Sequence, residues 1–175
     1  MSVEVETHHH EVDDPAGKLI GIQTAVLAIL LSIFTILAHR AHTDTIIEGN
    51  KANNGWSHYQ AKRIRAYQIE MNTGLIKLLA ASNPETTAVL ADYSKQAEKY
   101  KKDLEEIKGE TENNEKTEGT AHHKASVFDL AEGLLEIGMI LSSLYFLTKK
   151  KFFSVLGFLL GLGGIVIGIM GLFIK

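Results

Sequence analysis

Two long runs without a charged residue restrict what this chain can become. Leu19–Ala38 (LIGIQTAVLAILLSIFTILA) is 20 residues and Phe152–Ile174 (FFSVLGFLLGLGGIVIGIMGLFI) is 23. At 1.5 Å per residue, each covers the ~30 Å hydrocarbon core of a bilayer. Both are read as membrane spans. The first is expected to be a retained anchor rather than a cleaved leader, because the residues before it are acidic rather than basic and the run is too long for a signal-peptide core. Cysteine is absent, which excludes a disulfide framework, thiolate metal sites and a cysteine nucleophile.

A third stretch, Val127–Leu147, is long enough to cross but carries Asp129, Glu132 and Glu136. Their i, i+3, i+7 spacing places them on one helix face. A carboxylate at bilayer depth costs roughly 2.5–3.5 kcal/mol and marks a functional site by default. Glu136 lies ~14 Å along the helix from Val127, near the bilayer midplane. No lysine or arginine inside the apolar runs can pair with it. Asp129 and Glu132 are shallower and can face headgroup water or pair with Arg40 or Lys124. Such a carboxyl can relay protons or bind a cation; the plain alternative for Glu136 is a single packing hydrogen bond to Ser32 or a backbone carbonyl.

The polar middle reads as helical. Trp56, Gln60, Ile64, Tyr67, Met71, Leu75 and Leu78 recur three or four apart within about 44–81. Ser82-Asn83-Pro84-Glu85 is a helix start, with Asn83 as cap and Pro84 at the first helical position. Tyr93, Ala97, Tyr100, Leu104 and Ile107 follow at heptad spacing. The short link predicts an antiparallel pair. Residues 109–124 lack apolar periodicity and read either as a solvated helix or as a linker.

The expected fold class is therefore an all-α membrane protein: three apolar helices, with an antiparallel, coiled-coil-like helical hairpin between the first and second. The segments are an acidic, disordered tail (1–18), a first transmembrane helix (19–38), and an extramembrane hairpin with polar linker (39–124). A second transmembrane helix with an acidic face (125–148), a basic link (149–151) and a glycine-rich third helix (152–174) complete the chain. Gly157, Gly161, Gly164, Gly168 and Gly171 repeat by four and three, the small-residue spacing of close helix packing in lipid. On the first helix Gly21, Ala25, Ala28, Ser32 and Thr35 form a comparable stripe, running on to His39 and His42.

Two motifs taken together, WSHYQAKRIR (Trp56–Arg65) and FDLAEGLLEIGMILSSLYFLTKKKFF (Phe128–Phe153), resemble the bacterial membrane family described as domain of unknown function 4337. The resemblance runs from about Lys18 to the C-terminus, with Trp56, Tyr59, Gln60, Ala61 and Lys62 in the first motif. It implies a bacterial integral membrane protein and implies no activity.

Other chemistry has weaker support. His39, His42, His122 and His123 could supply nitrogen to a transition metal if packing gathers them, but interfacial histidines are more often solvated, so no metal is assigned. Trp56, Tyr59, Lys62, Arg63 and Arg65 suggest nucleic acid or anionic lipid, yet aromatic residues at helical spacing are more often packing, and no nucleic-acid partner is expected. GLGGIVIG lacks the preceding strand of a dinucleotide loop. No enzyme signature and no cofactor site emerge. The expected role is an oligomeric membrane scaffold or interaction protein acting through its hairpin, with the bilayer and a second copy or another membrane protein as partners. The alternative is a proton- or cation-handling channel or transporter subunit using Glu136.

The expected location is the bacterial inner membrane, multi-pass. Lys149, Lys150 and Lys151 argue that the short link, and with it the N-terminus, is cytoplasmic. The flanks of the first span, acids before and Arg40 and Lys51 after, argue the reverse. Short loops count for more than long ones, so the lysine link is preferred and a cytoplasmic N-terminus is expected; an interfacial rather than spanning 127–147 would reconcile the two.

Overall fold

The computed structural model describes residues 14–80 and 83–174. Most of the acidic tail, with His8, His9 and His10, lies outside the described residues. Three helices make up the fold: α1 (Pro15–Leu79), α2 (Pro84–Thr148) and α3 (Lys151–Leu172). All three are long and apolar enough, over part of their length, to cross a membrane by length and composition.

The two long helices start by the same device. Asn83 Oδ1 accepts the Thr86 amide at 2.7 Å, and Asp14 Oδ1 accepts the Gly17 amide at 2.9 Å. In each case proline follows the cap, where its missing N–H leaves no orphan donor. Asp14-Pro15 carried the same signal as Asn83-Pro84, and it starts α1 four residues before the apolar run. From there α1 continues for 65 residues without a break, joining the first apolar run to the first polar stretch. Likewise α2 runs 65 residues through 109–124, so the stretch without apolar periodicity is helical. No proline interrupts either helix interior, and local pairs such as Lys108–Glu112 (3.6 Å) support the solvated turns. Between α2 and α3 the turn places Lys149 in the left-handed region (φ 57°), a strained backbone for a side chain with a Cβ.

The described residues pack as two compact units, 14–38 with 126–174, and 39–125. In the first unit the buried faces are Ile20, Leu27 and Phe34 on α1 and Phe128, Ala131, Leu135 and Ser142 on α2. Glycines of α3 receive them. Leu27 lies against Gly161 and Phe34 against Gly168; Leu135 lies against Gly164 and Phe128 against Gly171. Each pair of large residues is seven apart and so is each pair of glycines, so both ride one face of their helix. The Phe34 and Phe128 rings stack at 6.2 Å. Gly138 and Gly157 bring α2 and α3 together backbone to backbone: a methyl group on Gly138 would lie 2.7 Å from Gly157 O and 3.0 Å from Gly161 N.

This packing differs from the small-residue stripe read on α1. Ala25, Ser32 and His39 are exposed, and the buried face is the one with Ile20, Leu27 and Phe34. The reason is complementarity. Once α3 presents holes, its neighbours must supply knobs, so α1 contributes its large residues rather than its small ones.

The second unit has a thinner interior, in which the buried residues are Ala41, Ala52, Thr111 and Ala125. On α1 the face turned inward is Ala52, Gly55, Tyr59, Lys62, Ala66, Ile69, Thr73 and Ile76, alternating three and four. The face facing it on α2 includes Tyr93, Tyr100, Leu104, Ile107 and Thr111, which takes in the heptad stripe except for exposed Ala97. The more apolar stripe of α1, Ile64, Tyr67, Met71, Leu75 and Leu78, points outward (57, 53, 62, 47 and 82% exposed). Hydrophobicity misleads here because the inward face is held by polar bridges and small residues.

Candidate functional site

Among the three acids of 127–147, Glu132 accepts a hydrogen bond from α1: Thr35 Oγ1 donates to Glu132 Oε1 at 2.8 Å. Asp129 is exposed. Glu136 does not bond Ser32, the packing partner that the sequence offered it. Ser32 Oγ instead donates to its own helix at Ala28 O (3.0 Å). Glu136 is exposed on the surface of the first unit, and no hydrogen bond or ion pair reaches it among the described residues. The neighbouring Gly133 opens onto free space. The acidic stripe therefore divides into one carboxylate engaged with α1 and one, Glu136, turned away from the chain's own core.

Sequence reading missed two polar clusters in the same unit. Gln23 Nε2 donates to Ser142 Oγ (2.9 Å) and to Ser154 O (3.3 Å), and Ser154 Oγ donates back to Gln23 Oε1 at 3.4 Å. One amide thereby ties α1, α2 and α3, with Ser142 fully buried. The available signal was the single amide side chain in the uncharged run 19–38. In the second cluster, Tyr145 Oη (3.1 Å) and Lys149 Nζ (3.3 Å) both donate to Asp14. The Gly17 amide, with Lys149 and Tyr145 adding to it, holds the Asp14 carboxyl below its ordinary range.

The residues of the first motif split between two faces of α1. Trp56 Nε1 donates to Glu115 Oε1 at 2.7 Å, and the Trp56 and Tyr59 rings meet edge-on at 5.6 Å. Lys62 pairs with Asp103 and lies over the Tyr100 ring at 5.7 Å. That pairing depresses the Asp103 carboxyl. Gln60 and Ala61 are exposed. Beside Lys62, Arg63 donates from Nε (3.0 Å) and Nη2 (2.8 Å) to Tyr67 Oη.

A groove of about 1070 Å³ opens in the second unit between α1 and α2. Tyr59, Ile69, Tyr93 and Leu104 contribute to its wall, and Lys77 and Lys101 border it. Small residues at Ala66, Gly74, Ala91 and Ser94 leave this volume unfilled, a signal that was present in the sequence. His39, His42, His122 and His123 are all exposed. Among the described residues, no three of His, Asp or Glu form a group that could hold a metal ion.

Comparison with known proteins places the chain in a family without adding an activity. No curated protein and no solved structure matches the chain. The family model described as "Domain of unknown function (DUF4337)" matches residues 16–174, which takes in α1, α2, α3 and both motifs. On that match the chain belongs to the DUF4337 family.

Proposed function

We propose that this protein is a small multi-pass membrane scaffold, anchored by its three apolar helices, whose polar second unit is an antiparallel hairpin that presents a surface to a partner. The antiparallel reading is supported by contacts whose position falls along α2 as it rises along α1. Gly49 lies by Glu118, Trp56 bonds Glu115, and Lys62 pairs with Asp103. The observation that carries the scaffold reading is the outward stripe of α1. Five large apolar side chains stand exposed in one row along α1, apart from the exposed Ile46, Ile47, Leu79 and Val89, and such stripes mark interaction surfaces. The expected location is a bacterial inner membrane, with the N-terminus and the lysine link cytoplasmic.

Chemical cross-linking in native membranes tests the function, and species larger than the monomer are expected. Only monomer, with cross-linkers of every length tried, would remove the scaffold reading. Topology is tested separately, since the chain has no cysteine to interfere. With single cysteines at Asn113 and Lys150, intact cells are expected to label Asn113→Cys and to protect Lys150→Cys from an impermeant maleimide. Protection of both would place the acidic segment of α2 in the interface.

One observation favours a second reading. Glu136 is exposed within an apolar stretch and has no described partner, which suits a carboxyl that handles protons or cations in an oligomer. Flux in proteoliposomes tests it. A flux-competent wild type whose Glu136→Gln variant conducts equally well would eliminate this role.

A further inference from the structure

We propose that the outward stripe of α1 is a self-association seam, through which two copies in one membrane pair as a parallel coiled coil. Ile64, Met71 and Leu78 occupy one repeating seam position; Ala61, Gln68 and Leu75 occupy the other. The proposal rests on the scaffold reading above and names its partner as a second copy of this chain. Copies inserted with the same topology carry α1 in the same direction, so the pairing is parallel.

The spacing is the first argument. The series 64, 71, 78 and 61, 68, 75 are each seven apart and interleave by four and three, which is the heptad of a two-helix seam. The face that packs on α2 includes Tyr59, Ala66 and Thr73, a seven-residue series displaced by two from Ile64 and Met71. Two residues of α-helix turn about 200°. The outward seam therefore lies opposite the α2 contact, and pairing through it leaves the second unit's own packing intact.

Area is the second argument. At the exposures of Ile64, Tyr67, Met71, Leu75 and Leu78, and with roughly 150–200 Å² for a large apolar side chain, the stripe offers about 500 Å² per copy. Two copies bury about 1,000 Å², the level at which a specific interface becomes credible. Confinement to one membrane raises the effective concentration further.

Charge and polarity agree. Across a parallel seam Gln60 faces Arg65 and Tyr67 faces Asn72 of the other copy, so no like charges oppose each other. Arg63 is already engaged by Tyr67 of its own helix. Gln68 puts one polar residue at a seam position, the feature that selects register and two strands at some expense in stability.

Single cysteines at Ile64, Met71 and Leu78, with Glu98→Cys on exposed α2 as reference, test the proposal by oxidation in native membranes. The three seam variants are expected to form disulfide-linked dimers at least about fivefold faster than Glu98→Cys, since a parallel seam brings each cysteine onto its own copy. Rates equal to the reference overturn the proposal. So does reaction at one seam position only, the pattern of an antiparallel crossing, or an adduct whose mass is not twice that of the chain. An amine-reactive cross-linker on the same membranes separates the two levels. Dimers without seam disulfides leave the scaffold standing and reject this surface; no cross-linked species of either kind rejects both. Met71→Glu, which changes an exposed side chain, is expected to abolish the dimer without lowering the monomer's thermal midpoint.

Discussion

The two units solve helix packing by opposite means. The first buries large side chains in glycine holes, Leu27 against Gly161 and Phe34 against Gly168. The second buries little beyond alanine and one threonine, and joins its helices through Trp56–Glu115 and Lys62–Asp103. On the proposed membrane reading, lipid gives the helices of the first unit no hydrophobic reason to associate, so close fit has to supply the attraction. Water allows thinner packing, because exposed polar turns keep their hydrogen bonds and ion pairs can form at the seam. The contrast teaches that one helix can follow two packing rules along its length. α1 does so without a break, presenting Phe34 to one set of neighbours and Lys62 to another.

The largest expected effect comes from emptying a glycine hole of its occupant. Phe34→Ala removes the ring that stacks on Phe128 and fills the space at Gly168. A loss of about 3 kcal/mol is expected, the low end for Phe→Ala, since on the proposed membrane reading the ring exchanges packing for lipid rather than for water. Thermal unfolding in detergent measures it. An unchanged midpoint would break the claim that fit holds the first unit together.

The same substitution should have opposite signs in the two units. Gly138→Ala puts a methyl group 2.7 Å from Gly157 O, a backbone atom that cannot yield cheaply, and overpacking of this kind costs about 1–3 kcal/mol. Gly109→Ala on α2 meets nothing within 4 Å and should stabilise by up to about 1 kcal/mol through helix propensity. Equal and small effects at both sites would erase the distinction.

Gln23→Leu sharpens the comparison at intermediate size. It removes the donor to buried Ser142 and to Ser154 O, and the acceptor of Ser154 Oγ, while the leucine fills most of the volume. Hydrogen bonds between helices in lipid average about 0.6 kcal/mol, so a loss of about 2 kcal/mol is expected for three. A gain in the thermal midpoint would show that the cluster specifies alignment without adding stability.

Much of this architecture was readable in the sequence because it depends on local signals. The apolar runs gave three helices, and Asn83-Pro84 gave the start of α2. The glycine repeat marked a close-packed α3. What could not be read was which face of each helix meets its neighbour. On α1 the outward stripe of Ile64, Met71 and Leu78 is more apolar than the inward face with Lys62, Ala66 and Thr73, so hydrophobicity points the wrong way. The partners that decide it, Asp103 and Thr111, lie far along the chain. Glu132 illustrates the same limit: its acid spacing was visible, but its pairing with Thr35 depends on a register fixed by packing. Continuity across 39–43 and 109–124 was hidden because nothing apolar marks a solvated helix.

The smallest effect distinguishes the units by pH. Asp103 is depressed below its ordinary 3.8, chiefly by the hydrogen bond from Lys62. A carboxyl whose folded-state value lies below its unfolded one favours the folded state above the unfolded value, and that contribution disappears as pH falls through the folded value. The second unit should therefore lose stability below 3.8, not in the neutral range. Lys62→Met removes the leading cause and should flatten that acid-side decline while lowering the midpoint slightly at neutral pH. Asp14, depressed mainly by the Gly17 amide, supplies the internal comparison. Its contribution has the same sign but a different donor, so Lys62→Met should leave its share untouched and Asp14→Asn should remove it. Identical pH profiles for the wild type and Lys62→Met would mean that the Lys62–Asp103 pair adds nothing to the fold, leaving the second unit to helix propensity and Trp56–Glu115.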